Sequence, residues 1–497
     1  MQRIEFKGSN GRWVAAVILL AACLSLNFCQ RENDPPPVIP SQENYDLQAE
    51  IRLLNETLRI NILTIDITYD FYPEQMRVNG KARIVFKMRP GQNLALIHFD
   101  PALWGSALDA ISLDGKALAF ANSQDVRIRE FSGSTQKAIE FQRPMAPNQE
   151  HILRMDFHLL LPGSHPRFNT KVTDLTGTGN EEVFPTINSP EEMARHRILF
   201  RVHGSRPFVC IGSGKTDKIH ETPVQEWLLD TERDISSYTV MFALVPEADV
   251  VSEQKTISGV PVTIMAYMGG PAIAAAWNEV NACLPEYIAT IGPFPAPRLS
   301  IFLISGGGME YYGGTFSALT ALKHEIFHNY FACSAVARTY RDSWWDEALA
   351  TWYDGKQKGA TAIPMPENAA THIVSGRSPI AMGWDYRAYE TGAQIMQAVA
   401  VQMGGSDAFI RFLSYLHHHH AFSPFNAMEM ADILKAYAGV DMHPQFLRWL
   451  YSRETPPAAA SSAAQNKEAT LDPPAEIINK YLDKTSNCTG EQQEKQP

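Results

Sequence analysis

One stretch, ALKHEIFHNYFACSAVARTYRDSWWDEALATWY at residues 321–353, constrains the fold more than any other part of the chain. It contains His-Glu-x-x-His, in which His324 and His328 are four residues apart and therefore lie on one face of an α-helix. Two imidazoles on one helix face can bind one zinc ion. Glu325 lies about 100° round that helix, where its carboxylate can reach a water on the metal. The stretch therefore predicts a metal-binding helix.

A catalytic zinc site uses a third protein ligand and leaves one position for water. Glu347 follows His328 with 18 residues between them, which is enough to end the first helix, turn and begin an antiparallel second helix. Thr351, one turn after Glu347, is placed to hydrogen-bond close to the ligands. Alone, Glu347 could equally be a solvated helix glutamate. Beside the two histidines, it is predicted to be the third ligand.

Length and composition place the chain among globular proteins of more than one domain. Its 497 residues leave room for two or three domains, and the 45% hydrophobic and 20% charged residues are globular values. The formal net charge is −11, and the basic residues do not cluster into a stripe. We therefore expect no nucleic-acid partner.

The N-terminus has the pattern of an export signal. Lys7 and Arg12 precede the apolar segment WVAAVILLAACLSL, which is short for a membrane-spanning helix. Two cysteines, Cys23 in LAAC and Cys29 in LNFC, are candidates for lipidation of the bacterial lipoprotein type. We expect an exported protein, lipid-anchored at the bacterial cell envelope on its periplasmic or surface face. The alternative is a protein that is simply secreted.

The hydrophobic pattern changes from strands to helices near residue 250. Before this point, segments such as INILTIDITYDF alternate apolar and polar residues, which predicts an antiparallel β-sandwich-like domain. After it, a few strands precede a series of helical segments. The predicted regions are a lipoprotein-type signal peptide at 1–29, a linker at 30–45, an N-terminal β domain at 46–250, a mostly helical catalytic domain at 251–455 and a low-complexity, disordered tail at 456–497.

A run of four histidines, His417–His420, invites a second metal interpretation. Consecutive residues cannot share one face of a helix, so the four imidazoles cannot all point at one ion. We interpret the run as the end of a surface helix rather than as a metal site.

The metal-binding stretch and two further motifs resemble the aminopeptidase N family of gluzincin zinc metallopeptidases. The family's Gly-x-Met-Glu-Asn is present as GGMEY, with Tyr311 in place of Asn. Its NEGFAT is similar to DEALAT around Glu347. Its Tyr-x-Lys-Gly is similar to YETG, which keeps Tyr389 and has Thr391 in place of Lys. The resemblance extends more weakly over roughly residues 55–450.

This resemblance implies an α+β, multidomain fold in which the β domain is followed by a thermolysin-like, mostly helical zinc catalytic domain. It implies one Zn²⁺ per chain and peptide substrates, cleaved at their N-termini by a zinc-activated water. Glu325 would be the general base, and Tyr389 would stabilise the oxyanion. Glu310 would pair with the substrate's free α-amine. The residues implied to lie beside the bound substrate are Gly307, Gly308 and Met309.

The departures from the family keep two alternatives open. Only 13 residues separate Glu310 from His324, which is fewer than is usual in the family. That short gap and Tyr311 could open the site, which would give an endopeptidase or a narrow-specificity hydrolase like the glycyl aminopeptidases. The other alternative is a peptide-binding protein whose site has lost catalysis.

Overall fold

The computed structural model describes residues 54–451 with gaps at 56, 101–106, 120–123, 131–136, 161–173, 179–182, 222 and 357–385. The predicted signal peptide, linker and tail therefore lie outside the described residues, as do Cys23 and Cys29. Within the described part, no helix has the length and apolar character that crossing a membrane requires.

An eight-stranded sheet dominates the first half of the chain. The alternation of the sequence is visible in strand β1 (Ile60–Tyr72), where buried residues recur at nearly every second position because side chains alternate across a strand. In spatial order the strands are β12 (Lys215–His220), β13 (Gln225–Ser236), β10 (Met193–Val202), β1, β2 (Arg77–Met88), β8 (Glu150–Leu160), β4 (Ala107–Leu113) and β5 (Lys116–Ala117).

Aromatic side chains join this sheet to a smaller one. The Tyr69 and Phe200 rings lie 5.9 and 5.0 Å from the ring of Phe242, and Phe71 packs edge-on against Phe208. The smaller sheet contains β11 (Phe208–Gly212), β14 (Met241–Pro246) and β9 (Leu175–Thr178), and a third sheet contains β3 (Leu96–His98), β7 (Lys137–Phe141) and β6 (Val126–Glu130). The predicted sandwich is thus confirmed, with one difference: β1 and β10 run parallel.

The second half of the chain begins with a mixed five-stranded sheet. In spatial order its strands are β15 (Val250–Ile257), β16 (Val260–Tyr267), β17 (Leu299–Leu303), β19 (Gly314–Ser317) and β18 (Gly308–Tyr311). Strand β17 runs parallel to both of its neighbours, whereas β18 pairs with β19 in an antiparallel hairpin. Strand β18 is therefore an edge strand.

Helices make up most of the remaining described residues, as the periodicity predicts. They are α1 (Ile273–Thr290), α2 (Leu322–Phe327), α3 (Trp344–Thr351), α4 (Glu390–Gln402), α5 (Ser406–His420), α6 (Ala427–Ala438) and α7 (His443–Tyr451). Local sequence accounts for the ends of α6: Asn426 and Glu429 form a capping box at its start, and Gly439 ends it in the left-handed conformation at φ 70°. The α+β fold class is confirmed.

The five-stranded sheet places the short helix α2. Strand β19 ends at Ser317, and α2 begins at Leu322 and packs against β18, β19 and α3. The edge strand, the metal-binding helix and the helix carrying Glu347 therefore meet at one place. Sheet membership changes between Pro246 and Val250, and the domain limits themselves stay predictions.

Candidate metal centre and active site

Three predicted ligands converge at the junction of α2 and α3. The Nε2 atoms of His324 and His328 are 3.0 Å apart, and Glu347 Oε2 lies 3.0 Å from the first and 3.2 Å from the second. Ligands bound to zinc at 2.0–2.1 Å in a tetrahedron are separated by about 3.3 Å. The three atoms therefore have the spacing of one face of a tetrahedral zinc site.

Each imidazole has an oxygen atom beside its outer nitrogen. His328 is buried, and its Nδ1 donates to the carbonyl oxygen of Phe331 at 3.1 Å, which leaves the lone pair on Nε2 facing Glu347. His324 Nδ1 lies 3.7 Å from a carboxylate oxygen of Asp354. The predicted supporting residue, Thr351, has a buried hydroxyl without a hydrogen-bond partner among the described residues. Asp354 therefore occupies the position beside a ligand that the sequence suggested for Thr351.

The charges of this cluster favour a cation. Burial raises the pKa of Glu347, but the neighbouring imidazoles, above all His328, outweigh it and hold the carboxyl well below its ordinary value. For His324 burial acts in the opposite direction and lowers the pKa, but the carboxylates of Asp354 and Glu347 outweigh burial and raise the pKa to about 9. The ionised carboxylate of Glu347 thus lies beside two imidazole nitrogens. Together these three groups favour binding of a cation, which can be a proton or a metal ion.

Two more carboxylates lie beside His328. Ligand atoms of Glu310, Glu325 and His328 fall within 4.8 Å of one another. Burial is the largest cause raising the pKa of Glu325 to about 8, and Glu310 adds to it. The backbone makes room for this carboxylate at Gly308, where a methyl group would overlap the Glu325 side chain. The predicted base therefore lies directly against the strand that carries the predicted substrate-binding residues Gly308 and Glu310.

The side chains of strand β18 alternate between two faces of the sheet. Gly308 and Glu310 face Glu325, because alternate side chains of a strand point the same way. Met309 packs on the other side against a buried cluster that includes Tyr311 and Phe316. A contact between Met309 and a substrate on the Glu325 side would have to use its main chain. Gly307 precedes the strand at φ 72°, a conformation that favours glycine.

Tyr389 reaches the same cluster from α4. Its hydroxyl donates to Glu347 Oε1 at 2.6 Å, and its ring stacks on the His324 ring with 5.9 Å between centroids. It occupies the N-cap position of α4, which packs against α3. The structure thus brings together six of the nine predicted site residues by their side chains and places the other three, Gly307, Gly308 and Met309, on or beside the adjoining strand.

The four histidines at the end of α5 do not join any metal cluster in the described part of the chain. His417 is buried, and its Nε2 lies 2.9 Å from the carbonyl oxygen of Pro293 with the Tyr330 ring beside it. Among the described residues, the groups spaced to hold a metal ion are the two that share His328. The run does end a helix, as predicted, but His417 is buried rather than at the surface.

Two residues of the site escaped the sequence-based prediction. Asp354 lies in a π-helical turn after α3, so its direction does not follow from helical periodicity. Asp346 is buried beside Glu347 and accepts a hydrogen bond from the Glu347 backbone N–H at 2.6 Å. Its position directly before the third ligand, in DEALAT, was the available signal.

Several solved structures with a similar fold are zinc metallopeptidases. The crystal structure of the M1 zinc metallopeptidase from Deinococcus radiodurans matches with a TM-score of 0.60 at 16% identity, over 80% of this chain and 95% of that one. A variant of that metallopeptidase bound to a Tyr-Ser-Ala substrate matches with a TM-score of 0.59 at 16% identity, over 80% and 95%. A two-domain M1 zinc metallopeptidase variant bound to L-arginine matches with a TM-score of 0.60 at 17% identity, over 80% and 95%.

The chain therefore has the fold of the M1 zinc metallopeptidases, which confirms the fold that the resemblance implied. Comparison of its sequence with protein-family models and with curated proteins gives no match. The likeness is one of structure, and the chemistry must be argued from the site.

Proposed function

We propose that this chain is a zinc-dependent aminopeptidase, which removes N-terminal residues from peptides. One observation carries the proposal: His324 Nε2, His328 Nε2 and Glu347 Oε2 lie 3.0–3.2 Å from one another. The fold adds support, since solved structures similar to this chain include zinc metallopeptidases with a bound peptide or amino acid.

The donor set fits one zinc ion per chain. Two imidazole nitrogens and a carboxylate oxygen are ligands of catalytic zinc sites, which keep a fourth position for water or substrate. His324, His328 and Glu347 would hold the ion. When bound, zinc lowers the pKa of a coordinated water and polarises a substrate carbonyl.

Glu325 is placed to move the proton of the reaction. Its carboxylate lies beside His328 without belonging to the three ligands, and it is only 6% exposed. It takes a proton from the attacking water and passes it to the leaving amine as the peptide bond breaks. Burial favours this role, since a carboxylate shielded from bulk water binds and releases protons closer to neutral pH.

Tyr389 supplies a hydrogen-bond donor to the reacting carbonyl. Its hydroxyl already lies at the ligand cluster, 2.6 Å from Glu347 Oε1. A small rotation of the side chain exchanges this acceptor for the oxyanion of the tetrahedral intermediate. Removing one such donor typically costs on the order of 100-fold in rate.

Glu310 would select the free end of the substrate. It shares a face of β18 with Gly308, next to Glu325, and β18 is the edge strand of its sheet. An extended peptide can pair with the main chain of an edge strand. A carboxylate at this point binds the substrate's α-amine and holds the first peptide bond at the metal centre.

The alternatives concern where the enzyme cuts and whether it cuts at all. An endopeptidase or a glycyl aminopeptidase-like hydrolase would require a more open site. Tyr311, the residue that differs from the family's motif, is fully buried in the core and does not itself widen the site. A catalytically degenerate peptide-binding protein is the remaining alternative, and it is disfavoured by the presence of all three donors and the base.

A panel of fluorogenic aminoacyl amides, run with and without a zinc chelator, tests the proposal. We expect hydrolysis that the chelator abolishes and that added zinc restores. Acetylating the α-amine should stop it, because Glu310 then has no charged amine to bind. Continued cleavage of acetylated peptides would point to the endopeptidase alternative, and no cleavage of any substrate would favour the degenerate site.

Glu325→Gln tests the base separately from the metal. The amide keeps the size of the side chain and cannot accept the proton, so we expect a loss of about 10²–10⁴-fold in kcat. Zinc content should stay at one ion per chain, since Glu325 is not among the ligands. Retained hydrolysis in this variant would refute the role given to Glu325.

We also propose that the protein is exported and tethered to the cell envelope by a lipid on Cys23 or Cys29. The support is the sequence pattern alone, which lies outside the described residues. Metabolic labelling with an alkynyl fatty acid should mark the wild-type protein. One of the two variants Cys23→Ser and Cys29→Ser should lose the label. If the wild-type protein and both variants all remain unlabelled, the proposed anchor is contradicted.

A further inference from the structure

Helices α3 and α4 approach one another closely at a glycine. Gly392 lies in the first turn of α4 and is buried. A Cβ atom built on it would lie 2.7 Å from Ala348 Cβ and 3.4 Å from Ala348 Cα. Ala348 directly follows the predicted ligand Glu347. The main chain of α4 therefore rests on the helix that carries a metal ligand, with no space for even a methyl group.

This approach determines where Tyr389 lies. Tyr389 is three residues before Gly392, and its carbonyl oxygen accepts a hydrogen bond from the Ala393 N–H at 2.8 Å. The tyrosine is thus tied to the first turn of α4 and moves with it. Its hydroxyl reaches Glu347 Oε1 at 2.6 Å across the same contact between the helices.

A buried hydrogen bond further along α4 also ties it to the residue that ends α3. Trp352 Nε1 donates to Gln397 Oε1 at 2.6 Å. Gln397 lies about 7.5 Å along α4 from Gly392 and about 12 Å from Tyr389, at 1.5 Å per residue. To bring a methyl group at residue 392 to an ordinary contact distance from Ala348 Cβ, the N-terminal end of α4 must move by roughly 0.7 Å. Pivoting about Gln397, the helix would carry Tyr389 roughly 1 Å from its position.

We infer that Gly392 is a positioning residue, whose missing side chain sets the distance between Tyr389 and the metal centre. The inference rests on the proposed function for its effect on catalysis. Gly392 touches no substrate, and it acts only through the tyrosine. A misplacement of about 1 Å in a reacting group can cost on the order of 100-fold in rate.

Six variants, two of them single-substitution references, test this inference by their kcat on an aminoacyl coumarin amide at saturating zinc. Gly392→Ala should lower kcat about 10–100-fold and change KM little, because oxyanion stabilisation is lost rather than substrate binding. In the Tyr389→Phe background, Gly392→Ala should lower kcat no further. Ala348→Gly/Gly392→Ala moves the methyl group to the other helix and should restore kcat to that of Ala348→Gly alone. Val401→Ala, at an exposed position of α4, is the control and should match the wild-type protein.

Melting temperatures of the metal-free proteins provide a readout that needs no activity. Gly→Ala inside a helix ordinarily raises stability, because alanine has the higher helix propensity. The overlap with Ala348 predicts the opposite, a lower melting temperature for Gly392→Ala that rises again in the exchanged pair. If the wild-type protein hydrolyses nothing, the proposed function fails while these temperatures still test the contact.

Two results would overturn the inference. One is wild-type kcat together with a raised melting temperature in Gly392→Ala. The other is an equal loss of kcat from Gly392→Ala with and without the Tyr389 hydroxyl, since a positioning residue has nothing to act on once that hydroxyl is gone.

Discussion

At the scale of single residues, the candidate site depends on partners that orient its ligands. The Phe331 carbonyl oxygen fixes the tautomer of His328, and Asp354 stands beside the outer nitrogen of His324. A carboxylate at this position increases the basicity of the imidazole and limits its rotation. The affinity for the metal therefore depends on more than the three ligands.

Asp354→Ala should weaken zinc binding by about 10–100-fold, because His324 loses the carboxylate that orients it. Competition against a chromogenic chelator measures this affinity directly. Thr351→Ala is the matched comparison: its hydroxyl has no partner among the described residues, so zinc affinity should stay within about 3-fold of wild type. A larger effect at Thr351 than at Asp354 would reverse the assignment of the supporting residue.

At the scale of secondary-structure elements, strand β10 contains a buried imidazole. His196 is fully buried, its Nε2 lies 2.9 Å from the Ser237 hydroxyl, and the Phe184 ring packs beside it. Burial lowers the pKa of His196 to about 3. The folded protein therefore keeps this ring neutral at pH values where the unfolded chain protonates it.

The consequence is a loss of stability in acid. Below the unfolded-state pKa of about 6.5, the unfolded chain binds a proton that the folded chain does not, so His196 reduces the unfolding free energy by about 1.4 kcal/mol per pH unit down to about pH 3. Urea unfolding between about pH 7 and pH 5 should show a shallower slope of stability against pH in His196→Asn than in the wild-type protein. His220→Asn, an exposed position on edge strand β12, is the control. Equal slopes in all three proteins would contradict this account.

The elements also show how far the sequence predicts this molecule. Strands such as β1 and helices such as α6 follow from alternation and from capping residues, and the ligand pair of helices follows from the spacing of His328 and Glu347. The β18–β19 hairpin was not predicted, since strands of four residues with glycines carry little periodicity. The positions of Asp354 and Gly392 depend on a π-helical turn and on helix packing, which single-sequence patterns do not encode.

At the scale of the whole molecule, a chain of ion pairs links the two halves. Arg89, after β2, binds the buried Glu192 at 2.6 Å and contacts Glu191 at 3.4 Å. Glu191 lies 3.5 Å from Arg338, whose guanidinium binds Glu429 in the capping box of α6 at 2.8 Å. The charges thus connect the β-sandwich to the helical part of the chain.

Breaking this chain of ion pairs at Arg338 should destabilise the protein. Arg338→Met removes the guanidinium that binds the Glu429 carboxylate. Both side chains are about one-third exposed, so we expect the free energy of unfolding, measured in urea, to fall by about 1–2 kcal/mol. Lys435→Met removes a cation from the exposed pair with Asp441 and should cause no measurable change. Equal stability of both variants would show that the ion pairs of Arg338 contribute nothing.

The central claim is that one zinc ion lies between His324, His328 and Glu347. A crystal structure of the zinc-loaded protein, with anomalous data collected on both sides of the zinc absorption edge, tests it most directly. We predict one anomalous peak about 2.0–2.1 Å from each of the three ligand atoms. A Glu347 carboxylate turned away from both imidazoles, or a zinc peak held by other residues, would contradict the account.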